Sequence, residues 1–354
     1  MAGGTGGHVF PALALARLLR QRSVEVVWLG TRRGLEARIV PAERIAVEWL
    51  SVGGLRGKGA LTLLAAPFRV GLALVQALRV MWRRRPHAVI GLGGFVTGPG
   101  GVAAWLSRRP LIIHEQNAIA GFTNRCLAHF AREVLEAFPG SFGAGVRARA
   151  IGNPVRAEIL AMQAPAARFA GRGGPIRILV IGGSQGAARL NTVVPAAIAP
   201  LARSIPLEVR HQSGARWREA ALESYAAAGA RAEVIPFIED MAGAYAWADL
   251  VVCRAGALTI SELCASGIGA ILVPFPAAVD DHQTANARFL VDAGAAVLIA
   301  DAELTSERLA QELAKLCASR ASLLAMAERA RTLARPHATE DLAEACLKYC
   351  GSPA

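Results

Sequence analysis

Ile178-Leu-Val-Ile-Gly-Gly-Ser-Gln-Gly186 is an apolar run that breaks into a glycine turn and then into helical spacing. That order is the strand, turn and helix of a parallel α/β unit. Working outward, similar apolar runs recur downstream at Leu207 to Arg210, Leu250 to Cys253 and Ala270 to Pro274. Upstream they stand at Val24 to Leu29, Ala88 to Leu92 and Leu111 to His114. Strands buried on both faces read as such continuous runs, so parallel sheets are expected throughout. A segment rich in Pro, Gly, Ala and Arg, Gly152 to Gly174, separates the two series, and 354 residues suit two cores better than one. The boundary is therefore expected there, with domains at 1–155 and 156–335.

The first half opens on a glycine turn rather than on a strand, because only Met1-Ala2 precede Gly3. A doubly wound domain ordinarily places an apolar strand before that turn. The first strand of the N-terminal domain is expected to be missing, leaving an exposed sheet edge and an unanchored turn.

Composition narrows the class. With 53% hydrophobic and 19% charged residues the chain reads as globular. Its formal charge of +12 favours anionic partners, namely phosphates, nucleic acid or anionic lipid, without choosing among them. Six scattered cysteines show no zinc-ligand spacing and read as reduced thiols. Glycines and His8 interrupt the opening residues, so no secretory signal is read and the cytoplasm is the expected compartment. Ala60 to Trp82 is broken by Arg69 and Arg79 and is too short an apolar run to span a bilayer. Its Leu61, Leu64, Phe68, Leu72, Val75 and Trp82 fall mostly at helical steps beside Arg83, Arg84 and Arg85. Two readings stay open: a helix lying on an anionic membrane surface, or a core-facing helix with a solvated basic end.

Several clusters stand where chemistry is expected. Gly3-Gly-Thr-Gly-Gly-His8 leads into a helical run and puts small residues where a backbone must approach an anion. His8 at its lip is a candidate general base, or an ordinary polar residue at a helix start. Gly91 to Gly101 supplies a second glycine cluster, and neither carries the Walker pattern or the acidic residue of a dinucleotide fold. His114-Glu-Gln-Asn117 ends a strand, where open α/β sheets hold ligands, or simply faces water. In the second half Ala255-Gly-Ala-Leu-Thr-Ile-Ser-Glu262 places a carboxylate in the first turns of a helix. Glu262 there can accept from both hydroxyls of a ribose, or merely complement the helix dipole. Asp280-Asp-His-Gln283 adds a polar cluster, and with no D-x-D in the chain a metal-free site is expected.

Together, Gly3 to Pro11, His114 to Asn117, Gly152-Asn-Pro-Val-Arg156, Gly182 to Gly186, His211-Gln-Ser-Gly214 and Ser261-Glu262 closely resemble, in order, the motifs of the MurG family of glycosyltransferases. The resemblance runs from residue 2 to about 300. It implies the GT-B fold: two Rossmann-like doubly wound domains facing across a cleft, with a C-terminal helix, about 336–354, packing back onto the first. It implies inverting transfer of N-acetylglucosamine from UDP-N-acetylglucosamine to the C4 hydroxyl of undecaprenyl-diphosphate-linked N-acetylmuramoyl-pentapeptide. The enzyme would work peripherally on the cytoplasmic face of the cell membrane, with no cofactor, no metal and no nucleic-acid partner.

By the same resemblance His8, Glu115 and Asn117 carry the chemistry. Thr5, Gly6, Gly7, Asn117, Arg156, Ser184, Ile238, Gln283 and the run Ala257, Leu258, Thr259, Ile260, Ser261 and Glu262 bind the donor. His8, Gly93, Gly94, Thr97 and Gly98 bind the acceptor. The chain departs from the family pattern at Ala255, Gly269 and Ala277, where Ser, Pro and His are usual. Two rivals remain: a transferase of the same fold with another lipid or soluble acceptor, and a non-catalytic nucleotide-sugar-binding protein.

Overall fold

The computed structural model describes residues 1–53, 66–183, 186–276 and 281–350. Contacts divide the chain into two units, Met1–Val155 with Pro336–Ala354, and Arg156–Arg335.

Unit 1 runs α1 (Gly6–Gln21), β1 (Val27–Gly30), α2 (Glu36–Ala42), β2 (Ala46–Trp49), α3 (Ala66–Arg84), β3 (Val89–Gly91), α4 (Thr97–Leu106), β4 (Leu111–Glu115), α5 (Phe122–Ala128), β5 (Glu133–Glu136) and β6 (Arg149–Ala150). Its strands pair in parallel but form two separate sheets, β1-β2 and β3-β4-β5-β6. No strand precedes the glycine turn. Instead, the Met1 amine donates to Ile90 O at 2.8 Å and Leu92 N–H donates to Met1 O at 2.9 Å, so Met1 pairs along β3. The Trp28 indole, on β1, donates to Ala2 O at 2.9 Å. Two residues thus reach both sheets.

Unit 2 runs α6 (Ala157–Leu160), α7 (Pro165–Phe169), β7 (Ile176–Ile181), α8 (Ala188–Leu201), β8 (Leu207–Gln212), α9 (Arg218–Ala228), β9 (Glu233–Ile235), α10 (Met241–Trp247), β10 (Leu250–Cys253), α11 (Ala257–Ser266), β11 (Ala270–Leu272), α12 (His282–Val291), β12 (Ala296–Leu298), α13 (Ser306–Cys317) and α14 (Arg320–Thr332). One six-stranded sheet has the order β9-β8-β7-β10-β11-β12, all parallel. Counted from β7 this is 3-2-1-4-5-6, the doubly wound order, and the winding reverses between β7 and β10. α11 stops at Gly267, in the left-handed region at φ 61°, where an added Cβ would lie 2.7 Å from Pro165 Cγ. Only glycine fits that turn and that approach.

The last helix, α15 (Ala338–Leu347), belongs to unit 1. Its Leu342, Ala343, Ala345 and Cys346 are buried in one cluster with Val9, Leu13 and Ala16 of α1, Ile112 of β4 and Leu135 of β5. The six cysteines are free, and burial pushes the thiols of Cys253, Cys264, Cys317 and Cys346 up to about 12.

α3 combines features of both readings: one face packs into the core and another, large and apolar, points outward. Ala73, Ala77 and Met81 are buried, and α3 packs against α4. Phe68 (80% exposed), Leu72, Val75 and Trp82 (78% exposed) stand outward beside Arg69 and Arg79, so the large apolar face is not the core face. Leu61 and Leu64 lie outside the described residues. No helix among the described residues is long and apolar enough to cross a membrane.

Candidate active site

The glycine turn of unit 1 is firmly anchored, contrary to the expectation from its missing strand. Glu36, on α2, is fully buried behind it and takes three donors: Gly4 N–H at 2.9 Å on Oε2, and Thr31 N–H at 3.0 Å and Thr31 Oγ1 at 2.7 Å on Oε1. The slot exists because its walls are glycine: a Cβ at Gly34 would lie 1.9 Å from this carboxylate, and one at Gly3 2.6 Å. Beyond the turn, Thr5 begins α1 in extended conformation, and Gly6, Gly7 and His8 form its first turn. The His8 ring packs on the second glycine cluster, 2.6 Å from where a Gly93 Cβ would stand, and Gly94 backs directly onto Gly3. Gly93 and Gly94 have φ of 100° and 86°, so neither admits a side chain in space or in backbone. Thr97 is buried and donates its hydroxyl to Gly93 O at 2.8 Å. It shapes the loop, while Gly98 follows in the first turn of α4. The structure therefore brings His8, Gly93, Gly94, Thr97 and Gly98 together.

His114 to Asn117 has a different character from the one its polarity suggests. His114, Glu115 and Gln116 are all buried. His114 Nε2 lies 2.9 Å from Gly152 O, so Nε2 carries the proton and donates, and Nδ1 accepts from Gln116 Nε2 at 3.0 Å. Burial lowers the His114 pKa below its ordinary value, which keeps the ring neutral in this bonding pattern. Glu115 takes four donors: Asn117 N–H and Nδ2 on Oε1, and Gly121 N–H and Asn124 Nδ2 on Oε2. A carboxylate so fully engaged braces the loop from Asn117 to Asn124 and has no lone pair left for proton transfer. The expectation that Glu115 carries chemistry gives way to that bracing role. Asn117, partly buried, is the member of the motif nearest solvent.

In unit 2 the turn after β7 and the start of α11 after β10 flank the point where the winding reverses. Gln212 fastens that turn: its Oε1 accepts from Gly183 N–H at 3.0 Å and its Nε2 donates to Gly183 O at 2.9 Å. His211 beside it is buried, donating from Nε2 to Asn191 Oδ1 at 3.0 Å and accepting from Tyr225 OH at 3.0 Å on Nδ1. Burial lowers its pKa to about 4. Ser184 and Asp280 lie outside the described residues.

α11 has no side-chain cap, so its first N–H groups, at Ala257, Leu258 and Thr259, are open to an anion. Ile260 is buried in the core, and Ser261 donates its hydroxyl to Ala257 O at 3.0 Å. Glu262 Oε1 accepts from Arg156 Nη2 at 2.7 Å and Nε at 3.2 Å, and Oε2 from Tyr245 OH at 3.1 Å. Gln283 accepts from Phe275 N–H at 2.9 Å, which holds the strand exit after β11. Ile238 is buried in the loop that follows β9, and beside it Phe237 is 61% exposed. Phe237, Tyr245 and Glu36 are the residues that sequence reasoning missed. Phe237 and Tyr245 are flanked by apolar residues, and Glu36 stands in a charged stretch after Gly34, so the exposure of the first and the burial of the other two are visible only in three dimensions.

Comparison with known proteins fits this geometry. The model of the glycosyltransferase family 28 N-terminal domain matches residues 1–136, and that of its C-terminal domain residues 177–342. Proteins of Marinobacter nauticus and Nitrosococcus oceani, both named UDP-N-acetylglucosamine–N-acetylmuramyl-(pentapeptide) pyrophosphoryl-undecaprenol N-acetylglucosamine transferase, are each 57% identical over 348 residues. The alignments cover 98% of this chain and 96% and 97% of theirs. The crystal structure of Acinetobacter baumannii MurG superposes with a TM-score of 0.88 at 44% identity, covering 98% of both chains. A calicheamicin glycosyltransferase, 17% identical with a TM-score of 0.69, shares the fold alone. With its two Rossmann-like units of parallel strands and near-complete match to these relatives, the chain belongs to glycosyltransferase family 28, and within it to the MurG family of the GT-B fold.

Proposed function

We propose that this protein transfers N-acetylglucosamine, with inversion, from UDP-N-acetylglucosamine to the C4 hydroxyl of undecaprenyl-diphosphate-linked N-acetylmuramoyl-pentapeptide, a step of peptidoglycan synthesis. The observation that carries this reading lies in unit 2. A carboxylate suited to a ribose (Glu262), a guanidinium (Arg156) and the uncapped start of α11 meet at the reversal of strand order, which suits a nucleoside diphosphate. The names of the relatives supply the sugar and the acceptor.

In the transfer, the C4 oxygen bonds to the anomeric carbon as the bond from that carbon to the diphosphate breaks. The α11 N–H groups and Arg156 stabilise the charge that develops on the departing UDP. Phe237 offers a flat face for the base beside Ile238. In unit 1, His8 Nδ1 lies 3.3 Å from Gly3 O. A proton donated there leaves the lone pair on Nε2, which takes the proton of the C4 hydroxyl. The protein works on the cytoplasmic face of the membrane, held by the outward face of α3. Burying its aromatic side chains contributes roughly 1.5–3 kcal/mol each, and each arginine near anionic lipid about 1 kcal/mol.

Transfer of labelled N-acetylglucosamine from the UDP donor to a short-chain analogue of the acceptor, with chelator present and UDP release followed in parallel, tests the proposal. Sugar transfer is the expected result. UDP binding with no sugar moved to that analogue would overturn the acceptor assignment.

A further inference from the structure

The two partners of Glu262 differ in kind. The side chain of Arg156 is about half exposed, on a long flexible stem, whereas Tyr245, on α10, is fully buried. A guanidinium at the surface can leave its partner; a ring locked in the core cannot. Burial, with the Glu262 charge beside it, holds the Tyr245 phenol well above its ordinary pKa, so the hydroxyl remains a donor. The terminal torsion of a glutamate is soft, and an unanchored carboxylate turns over a wide range.

We infer that Tyr245 is a positioning residue for nucleoside recognition. By anchoring Oε2 it fixes the plane of the Glu262 carboxylate, so that Oε1 and the remaining lone pair of Oε2 meet the 2′ and 3′ hydroxyls of a ribose. This rests on the reading of Glu262 as the ribose ligand. A carboxylate offers about four acceptor positions. Arg156 takes Oε1 with two donors and Tyr245 takes one position on Oε2. Arrival of the diphosphate draws Arg156 away and vacates Oε1, while Tyr245 stays.

The test compares binding of UDP and of 2′-deoxy-UDP to the full chain. Tyr245→Phe is expected to weaken UDP by about tenfold, the worth of one hydrogen bond to a charged group. It should weaken 2′-deoxy-UDP distinctly less, so that the preference for the ribonucleotide shrinks, and KM for the UDP donor should rise with kcat little changed. Glu262→Gln separates the two layers. If it leaves the preference intact, Glu262 is not the ribose ligand. If it abolishes the preference while Tyr245→Phe weakens both nucleotides equally, Tyr245 is packing only and the inference is overturned.

Should Tyr245→Phe not fold, the three tyrosines allow a readout without replacing Tyr245. In protein labelled with 3-fluorotyrosine, Tyr225→Phe and Tyr349→Phe assign two fluorine resonances and leave the third to Tyr245. That resonance should move on adding UDP and move less with 2′-deoxy-UDP. Equal movement would overturn the proposal.

Discussion

In unit 1 the turn from Gly3 to Gly7 is fastened from behind by a carboxylate, Glu36; in unit 2 the turn from Gly182 to Gly186 is fastened by an amide, Gln212. The carboxylate only accepts, so it gathers donors from two loops, at Gly4 and Thr31. The amide accepts from and donates to one residue, Gly183, as a strand neighbour would. The difference follows from the sheets. Unit 2 has a continuous sheet, and Gly182 N–H still pairs with Gln212 O at its end, so the turn needs only a neutral extension of that ladder. Unit 1 has a split sheet, and a buried charge does the holding.

The largest effect should come from Glu36→Ala, which leaves the two buried donors of Thr31 and the partly buried Gly4 N–H without an acceptor and should destabilise unit 1 by about 2–6 kcal/mol. Denaturant unfolding measures it, and Glu36→Gln should recover part. A loss no larger than that of Gln212→Ala would break the comparison. Next comes acid. His211 titrates near 6.5 when unfolded and about 4 when folded, so between those pH values the unfolded chain binds the extra proton. Its contribution is therefore intact above pH 6.5, falls with acidification to a total loss of up to about 3 kcal/mol, and levels off below pH 4. Unfolding midpoints from pH 7 to 4 should show this slope, and His211→Gln should flatten it.

Gln212→Ala should cost about 1–2 kcal/mol and raise KM for the UDP donor more than it lowers kcat. If KM is unchanged, the turn it holds does not meet the donor. The smallest effect on chemistry should be that of Phe68→Ser with Trp82→Ser. Transfer to a soluble acceptor should stay unchanged, while binding to anionic vesicles falls by about tenfold or more. Sedimentation with vesicles at two salt concentrations checks it, and unchanged binding would detach α3 from the membrane.

The parallel sheets were legible because strands covered on both faces are written as continuous apolar runs, as at Ile178 to Ile181. The glycine turns were legible for their composition. What held them was not. Glu36 is one acid in a helix, and the glycines around it, Gly3 and Gly34, are far from one another in sequence. His114 to Asn117 was visible but the bracing by Glu115 was not, since two of its four donors come from Gly121 and Asn124, after a turn that polarity does not predict. The period of α3 marked an apolar helix without saying which side faces in; the small Ala73 and Ala77 let α4 approach, and that decided it. Tyr245 looked like any apolar helix residue because its one polar atom meets Glu262 only across the packed interior.

The burial of α15 in the core of unit 1 has a consequence for the order of events on the ribosome. Unit 2 is contiguous and can close as soon as Arg335 has emerged. The cluster around Val9, Leu13 and Ile112 lacks Leu342 and Cys346 until the whole of unit 2 has been translated. At ordinary rates about 10–40 s of synthesis separate Val155 from Leu342. The half that is made first is the half that finishes folding last, and for that interval its nascent core is an exposed target for chaperones.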